Sequence, residues 1–114
     1  MNINDYIIND LEIQSVNQKT KEFKKLFDEL TYSHIPIEKN REFIGCISEN
    51  DVRCFDNEKN LEDYQYSLEH FSVRETNNWL DILESFAENN TNLMPVLSEE
   101  ENKYLGYIEL GDIL

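Results

Sequence analysis

The chain has 114 residues, of which 24 are Asp or Glu and 10 are Lys or Arg, so its formal net charge is −14. This excess of negative charge excludes unaided binding to a nucleic-acid backbone, because phosphate contacts need clustered cations, and it disfavours an anionic membrane surface. Hydrophobic residues make up 39% of the chain, which is enough to build the core of one domain.

The N-terminus and the cysteines indicate the compartment. Residues 1–11 contain two acids but no cationic segment and no long apolar run, so we do not read them as a secretory signal. No run of about eighteen apolar residues predicts a membrane span. Cys46 and Cys54 have no second Cys or His at metal-ligand spacing, which argues against zinc. We expect free thiols in a reducing cytoplasm, with a disulfide as the alternative.

The first half of the chain predicts a helix followed by a β-hairpin. Residues 19–30 place apolar side chains on one helical face at i, i+3, i+4 and i+7, namely Phe23, Leu26, Phe27 and Leu30. Pro36 then forces the residue before it toward extended geometry. The remaining elements are an extended stretch at 33–37, a charged turn at 38–41, a strand at 43–48 and a short helical stretch at 49–55.

The same order of elements recurs from residue 76, after a segment at 57–73 that we interpret as a connection. The second helix has the same apolar spacing, with Trp79, Ile82, Leu83 and Phe86. Pro36 and Pro95 are 59 residues apart, and Gly45 and Gly106 are 61 apart, as are Asp51 and Asp112. This self-similarity predicts two copies of one supersecondary unit, which form a single module with internal pseudo-twofold symmetry.

The doubled pattern resembles the cystathionine-β-synthase (CBS) domain, which occurs as tandem pairs called Bateman modules. The likeness lies in residues 35–37 with 45–51 and in residues 94–96 with 106–112, and it covers nearly the whole chain. It implies an α+β fold of two β-α-β-β-α repeats that pack with pseudo-twofold symmetry. We place the first repeat at 1–56, the connecting segment at 57–73 and a truncated second repeat at 74–114.

The second repeat has only two residues after Asp112, so we expect its last helix to be missing. The missing segment would either expose apolar surface or be replaced by a partner chain. A truncated form of a longer protein would explain it.

The resemblance also implies a function. CBS pairs are regulatory, and they bind adenosine-containing ligands in clefts between the repeats, here AMP, ADP, ATP or S-adenosylmethionine as candidates. Homodimers are expected. The family motif is Gly-x-apolar-Ser/Thr-x-x-Asp, whose hydroxyl and carboxylate contact the ribose and phosphate region. Gly45, Ser48 and Asp51 match it fully, whereas in the second copy Glu109 replaces the Ser or Thr.

The candidate ligand-binding residues are Ser48, Asp51, Asp112, Ile35, Arg53 and Arg74. A carboxylate can accept hydrogen bonds from both ribose hydroxyls, and a Ser at a helix N-terminus suits a phosphate. The alternative for Ser48 is a helix cap, since Ser-x-x-Asp is also a capping-box pattern that needs no ligand.

Glu109 makes the second copy less suited to phosphate, because it would put a second carboxylate beside Asp112. That copy would accept an uncharged adenosine moiety or nothing, and a solvated strand end is the alternative for Glu109. We interpret the acidic cluster at 99–101 as a solvated hairpin tip, and His34 and His70 as packed or surface residues.

No catalytic constellation stands out in the sequence. Two readings of function therefore remain. One is a ligand-sensing regulatory module, and the other is a scaffold that dimerises or binds a protein partner and has an empty nucleotide site. An enzyme is a distant third.

Overall fold

The repeat in the sequence corresponds to two three-stranded sheets, which confirms the predicted α+β fold. The structure is a computed structural model that describes residues 2–100 and 102–114, so Glu101 of the predicted hairpin tip lies outside the described residues. The chain divides into a first unit, Ile13–His70, and a second unit formed by the residues up to Glu12 together with Phe71–Leu114.

The first unit follows the order β-α-β-β-α. Its sheet has the order β1-β2-β3, with β1 parallel to β2 and β2 antiparallel to β3. The elements are β1 (Gln14–Ser15), α1 (Thr20–Glu29), β2 (His34–Lys39), β3 (Glu42–Ser48), α2 (Glu49–Val52) and a 3₁₀ helix at Leu61–Ser67.

The second unit repeats this order. It has a sheet β4-β5-β6 with the same parallel and antiparallel pairing. The elements are a 3₁₀ helix at Ile3–Tyr6, β4 (Val73–Arg74), α3 (Trp79–Asn89), β5 (Leu93–Leu97), β6 (Tyr104–Glu109) and α4 (Leu110–Ile113). Among the described residues, no helix combines the length and the apolar character that a membrane span requires.

The two long helices bury equivalent positions. Phe23 and Phe27 of α1 are buried, and so are Ile82 and Phe86 of α3, 59 residues further on. The predicted core face of α3 was wrong at Leu83, whose side chain is 38% exposed. The helix therefore buries a narrower face than its apolar spacing suggested.

Each proline lies in the central strand of its sheet, where a residue without an N–H is usually excluded. Pro36 is opposite Cys46, whose own N–H and C=O bond to Glu69 on the other side of β3. In an antiparallel pair the backbone groups of Pro36 then point away from β3, toward the β1 side. Since β1 pairs only with Ile37 and Glu38, no hydrogen bond is lost at Pro36.

A segment distant in sequence pairs with the outer edge of each sheet. Glu69 exchanges two backbone hydrogen bonds of 2.8 Å with Cys46, and Ile8 exchanges bonds of 2.7 and 2.8 Å with Tyr107. Residues near the N-terminus therefore belong to the second unit, and residues 57–70 belong to the first. The compact units thus follow boundaries different from the 1–56, 57–73 and 74–114 division expected from the sequence.

Both repeats end in a short helix. A helix of four residues, α4, follows β6 as α2 follows β3, at the place where the sequence predicted that the last helix is missing. The first amide of each helix bonds to the carbonyl just before the preceding β-hairpin, from Glu49 to Ser33 at 3.0 Å and from Leu110 to Asn92 at 3.1 Å.

Candidate functional site

Ser48 is the N-cap of α2. Its backbone is extended (φ −86°, ψ 152°), and its Oγ accepts a 3.1 Å hydrogen bond from the N–H of Asp51. The structure therefore has the helix cap that the sequence offered as one of two readings. A hydroxyl that accepts one bond can still donate its proton, so the cap leaves Ser48 able to contact a ligand.

Asp51 lies in α2 with its side chain half-buried. Its backbone N–H donates to Ser48 Oγ. Within residues 2–100 and 102–114, no group donates a hydrogen bond to its carboxylate or forms an ion pair with it. A partly desolvated carboxylate without protein donors gains from an external donor. The Asp51 carboxylate thus has unused hydrogen-bonding capacity.

Arg53 is already paired with two carboxylates. Its Nη2 lies 2.8 Å from Asp28 Oδ1 and 2.8 Å from Glu49 Oε2. The hydrogen bonds that Arg53 donates to Glu49 and then to Asp28 raise the pKa of its guanidinium above the ordinary value. A phosphate would have to compete with two anions already in place, so Arg53 offers little to a charged ligand.

Ile35 belongs to the core of the first unit. Its side chain is fully buried, within a cluster that includes Ile37, Ile47 and Val52. In this structure the Ile35 side chain packs inside the protein and presents no surface to a ligand.

A polar cluster next to α2 was not singled out by the sequence. His34, only 4% exposed, has Nδ1 2.7 Å from Ser33 Oγ and Nε2 3.0 Å from Glu69 Oε2. The Ser33 carbonyl also accepts the first amide of α2, which places this cluster beside the Ser48–Asp51 motif. The partners His34 and Glu69 are 35 residues apart, and no local spacing signals their pairing.

In the second unit, Arg74 holds the β5–β6 loop. Its Nη1 donates to the Ser98 carbonyl at 2.7 Å, its Nη2 donates to Asn102, and its amide donates to Asn77 Oδ1 at 2.6 Å. The guanidinium is therefore occupied by loop contacts, and its closest partners are neutral oxygen atoms.

The second motif differs from the first at the helix start. Glu109 is the N-cap of α4 but its side chain makes no capping bond, unlike Ser48. Asp112 is exposed on α4, and none of the described residues supplies a hydrogen bond to its carboxylate. Exposure leaves water to solvate Asp112, so it has less to gain from a ligand than Asp51.

Two open grooves lie away from the predicted site residues. One, of about 350 Å³, runs along α1 and includes Gln14, Gln18 and Leu26. The other, of about 250 Å³, is acidic and lies beside the β5–β6 loop at Glu75, Glu99 and Lys103. Neither groove is lined by any of the six candidate residues. The described residues also contain no cluster of His, Cys, Asp and Glu suited to a metal ion.

Residues 65–114 match the model of the CBS domain family. A sequence comparison with curated proteins gives no match. These residues include the whole of the second β-hairpin and α4, and the matched region begins before β4.

Solved structures that resemble the chain include pairs of CBS domains. The chain is similar to a CBS domain pair/ACT domain protein from Thermotoga maritima, with a TM-score of 0.84 and 18% identity over 98% of this chain and 92% of that one. It is also similar to the CBS domains of a transcriptional regulator from Streptococcus pneumoniae, with a TM-score of 0.82 and 14% identity over 99% and 96%.

A third similar structure is the CBS pair domain of a putative Mg²⁺ transporter from Shewanella oneidensis MR-1. The TM-score is 0.81 and the identity is 14%, over 97% of this chain and 66% of that one. At these identities the likeness shows the fold of a CBS domain pair.

Proposed function

We propose that this chain, which has the fold of a tandem CBS domain pair, is a non-catalytic regulatory module that binds an adenosine-containing ligand. CBS domain pairs are typically regulatory rather than catalytic. The binding site we propose is the Ser48–Asp51 motif of the first repeat. The cytoplasm is the proposed compartment, since Cys46 and Cys54 are free.

The observation that carries this proposal is the Asp51 carboxylate. It is half-buried, its own amide is held by Ser48, and no described residue donates to it. A ribose diol supplies two hydroxyl donors to one carboxylate, which is the complement that Asp51 lacks. Because α2 is fixed to Ser33 by a backbone bond and to Ser48 by the cap, the carboxylate is held in place before a ligand arrives.

The charge of the site favours the nucleoside over the phosphate. Arg53 is neutralised by Asp28 and Glu49, and the chain as a whole carries −14. Each additional phosphate of a ligand is therefore repelled by the acidic chain and gains no additional cation to pair with. We expect adenosine and the cationic S-adenosylmethionine to bind more tightly than AMP, and AMP more tightly than ATP.

Thermal unfolding with a ligand panel tests the proposal. Adenosine, AMP, ADP, ATP and S-adenosylmethionine are compared with and without magnesium. A ligand at 100 times its Kd adds about 2.7 kcal/mol of stability. Asp51→Asn is expected to abolish the shift, whereas the matched Asp112→Asn in the second repeat keeps it. If no ligand raises the unfolding temperature, the proposal is wrong.

The second candidate is a dimerisation or protein-interaction scaffold with an empty nucleotide site. It is favoured by the structural roles of three candidate residues: Ser48 caps α2, Arg53 is bound to two carboxylates, and Ile35 is in the core. This reading expects a homodimer or a bound partner protein and no stabilisation by adenosine ligands. Sedimentation tests self-association, and a monomer at all concentrations argues against the homodimer.

A further inference from the structure

Both histidines of the chain bind one short segment to the first sheet. Residues 68–70, which we call the edge segment, pair with β3 through the two backbone hydrogen bonds between Glu69 and Cys46. His34 adds a side-chain bond, since its Nε2–H donates to Glu69 Oε2 at 3.0 Å and a carboxylate can only accept. His70 Nδ1 donates to a backbone carbonyl of β3 at 3.1 Å. The edge segment is thus held by the backbone of β3 and by a side chain of β2.

His34 also contacts the residue that anchors α2. Its Nδ1 lies 2.7 Å from Ser33 Oγ, and the carbonyl of Ser33 accepts the first amide of α2, that of Glu49, at 3.0 Å. Because His34 is only 4% exposed, water cannot readily replace the bonds of its ring. A hydrogen-bond relay therefore connects the Glu69 carboxylate through His34 and Ser33 to the start of α2.

The corresponding positions of the second repeat are apolar. Leu93 occupies the position of His34 in the register of the strands, and Ile8 occupies that of Glu69 at the sheet edge. Neither of these side chains can hydrogen-bond, yet the edge pairing and the backbone bond at the start of α4 form in the same way. The fold therefore does not require the relay, and the relay lies in the repeat whose motif is complete.

We propose that His34 is a positioning residue that couples the edge segment to the start of α2. The pairing of Glu69 with Cys46 places the Glu69 carboxylate against His34, and the ring of His34 in turn orients Ser33. Ordering one end of the relay therefore lowers the free energy needed to order the other end. This is a coupling free energy between two elements, and it passes through residues in direct contact.

The coupling has a consequence for regulation, which rests on the function proposed above. A ligand that binds Asp51 orders α2, and coupling is reciprocal, so the same ligand orders the edge segment. The chain passes from the first unit to the second directly after His70. Ligand binding at the first motif therefore acts on the backbone that leads into the second unit.

Amide hydrogen exchange of the ligand-free protein tests the coupling. The Glu49 amide reports on the start of α2, and the Leu110 amide, which bonds to Asn92 in the second repeat, is the internal reference. Glu69→Ala removes the carboxylate but keeps the backbone groups that pair with β3. We expect this variant to exchange the Glu49 amide at least about fivefold faster than the wild type does, with no change at Leu110.

Further variants separate the relay from a general loss of stability. Glu69→Gln keeps an oxygen that accepts from His34, so we expect it to restore slow exchange at Glu49. His34→Leu copies the residue of the second repeat, and combined with Glu69→Ala it is expected to speed exchange no further than either change alone, because both break the same relay. Glu62→Ala, which removes an exposed carboxylate from residues 57–70, is the matched control and leaves Glu49 unchanged. Circular dichroism confirms that each variant is folded.

The coupling is overturned if Glu69→Ala leaves the exchange of Glu49 unchanged or speeds Glu49 and Leu110 equally. Additive effects of His34→Leu and Glu69→Ala also overturn it, since the two residues then act independently.

A second series of exchange measurements adds adenosine, AMP, ADP, ATP or S-adenosylmethionine. A ligand that stabilises the protein is expected to slow the exchange of the Cys46 and Glu69 amides in the wild type and to do so much less in His34→Leu. Stabilisation without slower exchange at these two amides overturns the regulatory consequence. If no ligand stabilises the protein, the proposed function fails, while the ligand-free measurements still decide the coupling.

Discussion

One residue position separates the two motifs. Ser48 closes the start of α2 with its Oγ, while Glu109 at the corresponding position leaves α4 without a side-chain cap. The sequence predicted the cap and the ligand contact as alternatives for Ser48. The structure shows the cap, and the ligand contact stays a prediction.

Substitutions at Ser48 separate its two roles. Ser48→Ala removes the bond to the Asp51 amide and is expected to lower the free energy of unfolding by about 0.5–2 kcal/mol. Ser48→Asn keeps a capping oxygen, so stability is expected to stay near that of the wild type. Urea unfolding measures both. Equal stability of Ser48→Ala and the wild type would contradict the capping role.

The two thiols are expected to differ in reactivity. Cys46 is buried, and desolvation, followed by the nearby Glu69 carboxylate, raises its pKa well above the ordinary value, whereas Cys54 is exposed. Because the thiolate is the nucleophile, a thiol reagent is expected to label Cys54 in the folded protein and Cys46 only after unfolding. Mass spectrometry of labelled peptides identifies the site. Equal labelling of both in the folded state would contradict the burial of Cys46.

The raised pKa of Cys46 also makes the stability of the fold depend on pH in a defined direction. The folded protein holds this proton more tightly than the unfolded chain does, so the contribution is fully present below the unfolded thiol pKa of about 8.5. It is lost as the pH rises through the alkaline range. We expect unfolding temperatures to fall less steeply above about pH 8.5 in Cys46→Ala than in the wild type, with Cys54→Ala as the matched control.

At the scale of elements, the two glycine strands explain how a distant segment reaches each sheet. Gly45 and Gly106 have φ of 138° and 141°, a region that other residues rarely adopt. A Cβ on Gly45 would lie 2.9 Å from the Glu69 carbonyl oxygen, and a Cβ on Gly106 would meet the Ile8 carbonyl. The glycines therefore allow Glu69 to pair with Cys46, the residue after Gly45, and Ile8 to pair with Tyr107, the residue after Gly106.

Alanine at these glycines is expected to be strongly destabilising. Gly45→Ala and Gly106→Ala each combine backbone strain of about 1–3 kcal/mol with a clash against the pairing segment. Gly111→Ala is the control, because nothing lies within 4 Å of its Cβ position and alanine is favoured in a helix. Denaturant unfolding measures the three variants. A Gly45→Ala protein as stable as Gly111→Ala would refute the close approach of Glu69.

Local sequence patterns predict most of the helices and strands, but they do not predict features that depend on residues distant in sequence. Period-3.6 spacing predicted α1 and α3, and the apolar-Pro-apolar and glycine stretches predicted the two β-hairpins, because both signals lie within one segment. Leu83 is exposed although its spacing predicted burial, and the buried residues of α3 are Ile82 and Phe86. The edge pairings of Ile8 and Glu69 had no local signal.

The candidate site likewise has a part that the sequence predicted and a part that it did not. The motif at Gly45, Ser48 and Asp51 was visible because its members are close in sequence. The pairing of Arg53 with Asp28, 25 residues apart, depends on how α1 packs beside α2, and spacing does not encode it. The His34–Glu69 contact likewise depends on the pairing of Glu69 with Cys46 at the edge of the first sheet.

At the scale of the whole molecule, the charge of −14 acts on stability as well as on partners. The ion pairs of the described residues are on exposed side chains, apart from His34–Glu69, and exposed pairs contribute little to stability. They offset little of the repulsion among the remaining acids, which disfavours the compact state.

Salt is therefore expected to stabilise the protein. Raising the ionic strength from about 0.01 M to 0.1 M shortens the Debye length from about 30 Å to about 10 Å, which screens repulsion between acids far apart more than attraction within the close ion pairs. We expect the unfolding temperature at pH 7 to rise over this range, equally in NaCl and KCl. Arg53→Gln, which removes a cation and two ion pairs, is expected to unfold at a lower temperature and to gain more from salt. An unfolding temperature that falls with salt would show that attractive pairs, and not the excess of acids, dominate the electrostatics of the fold.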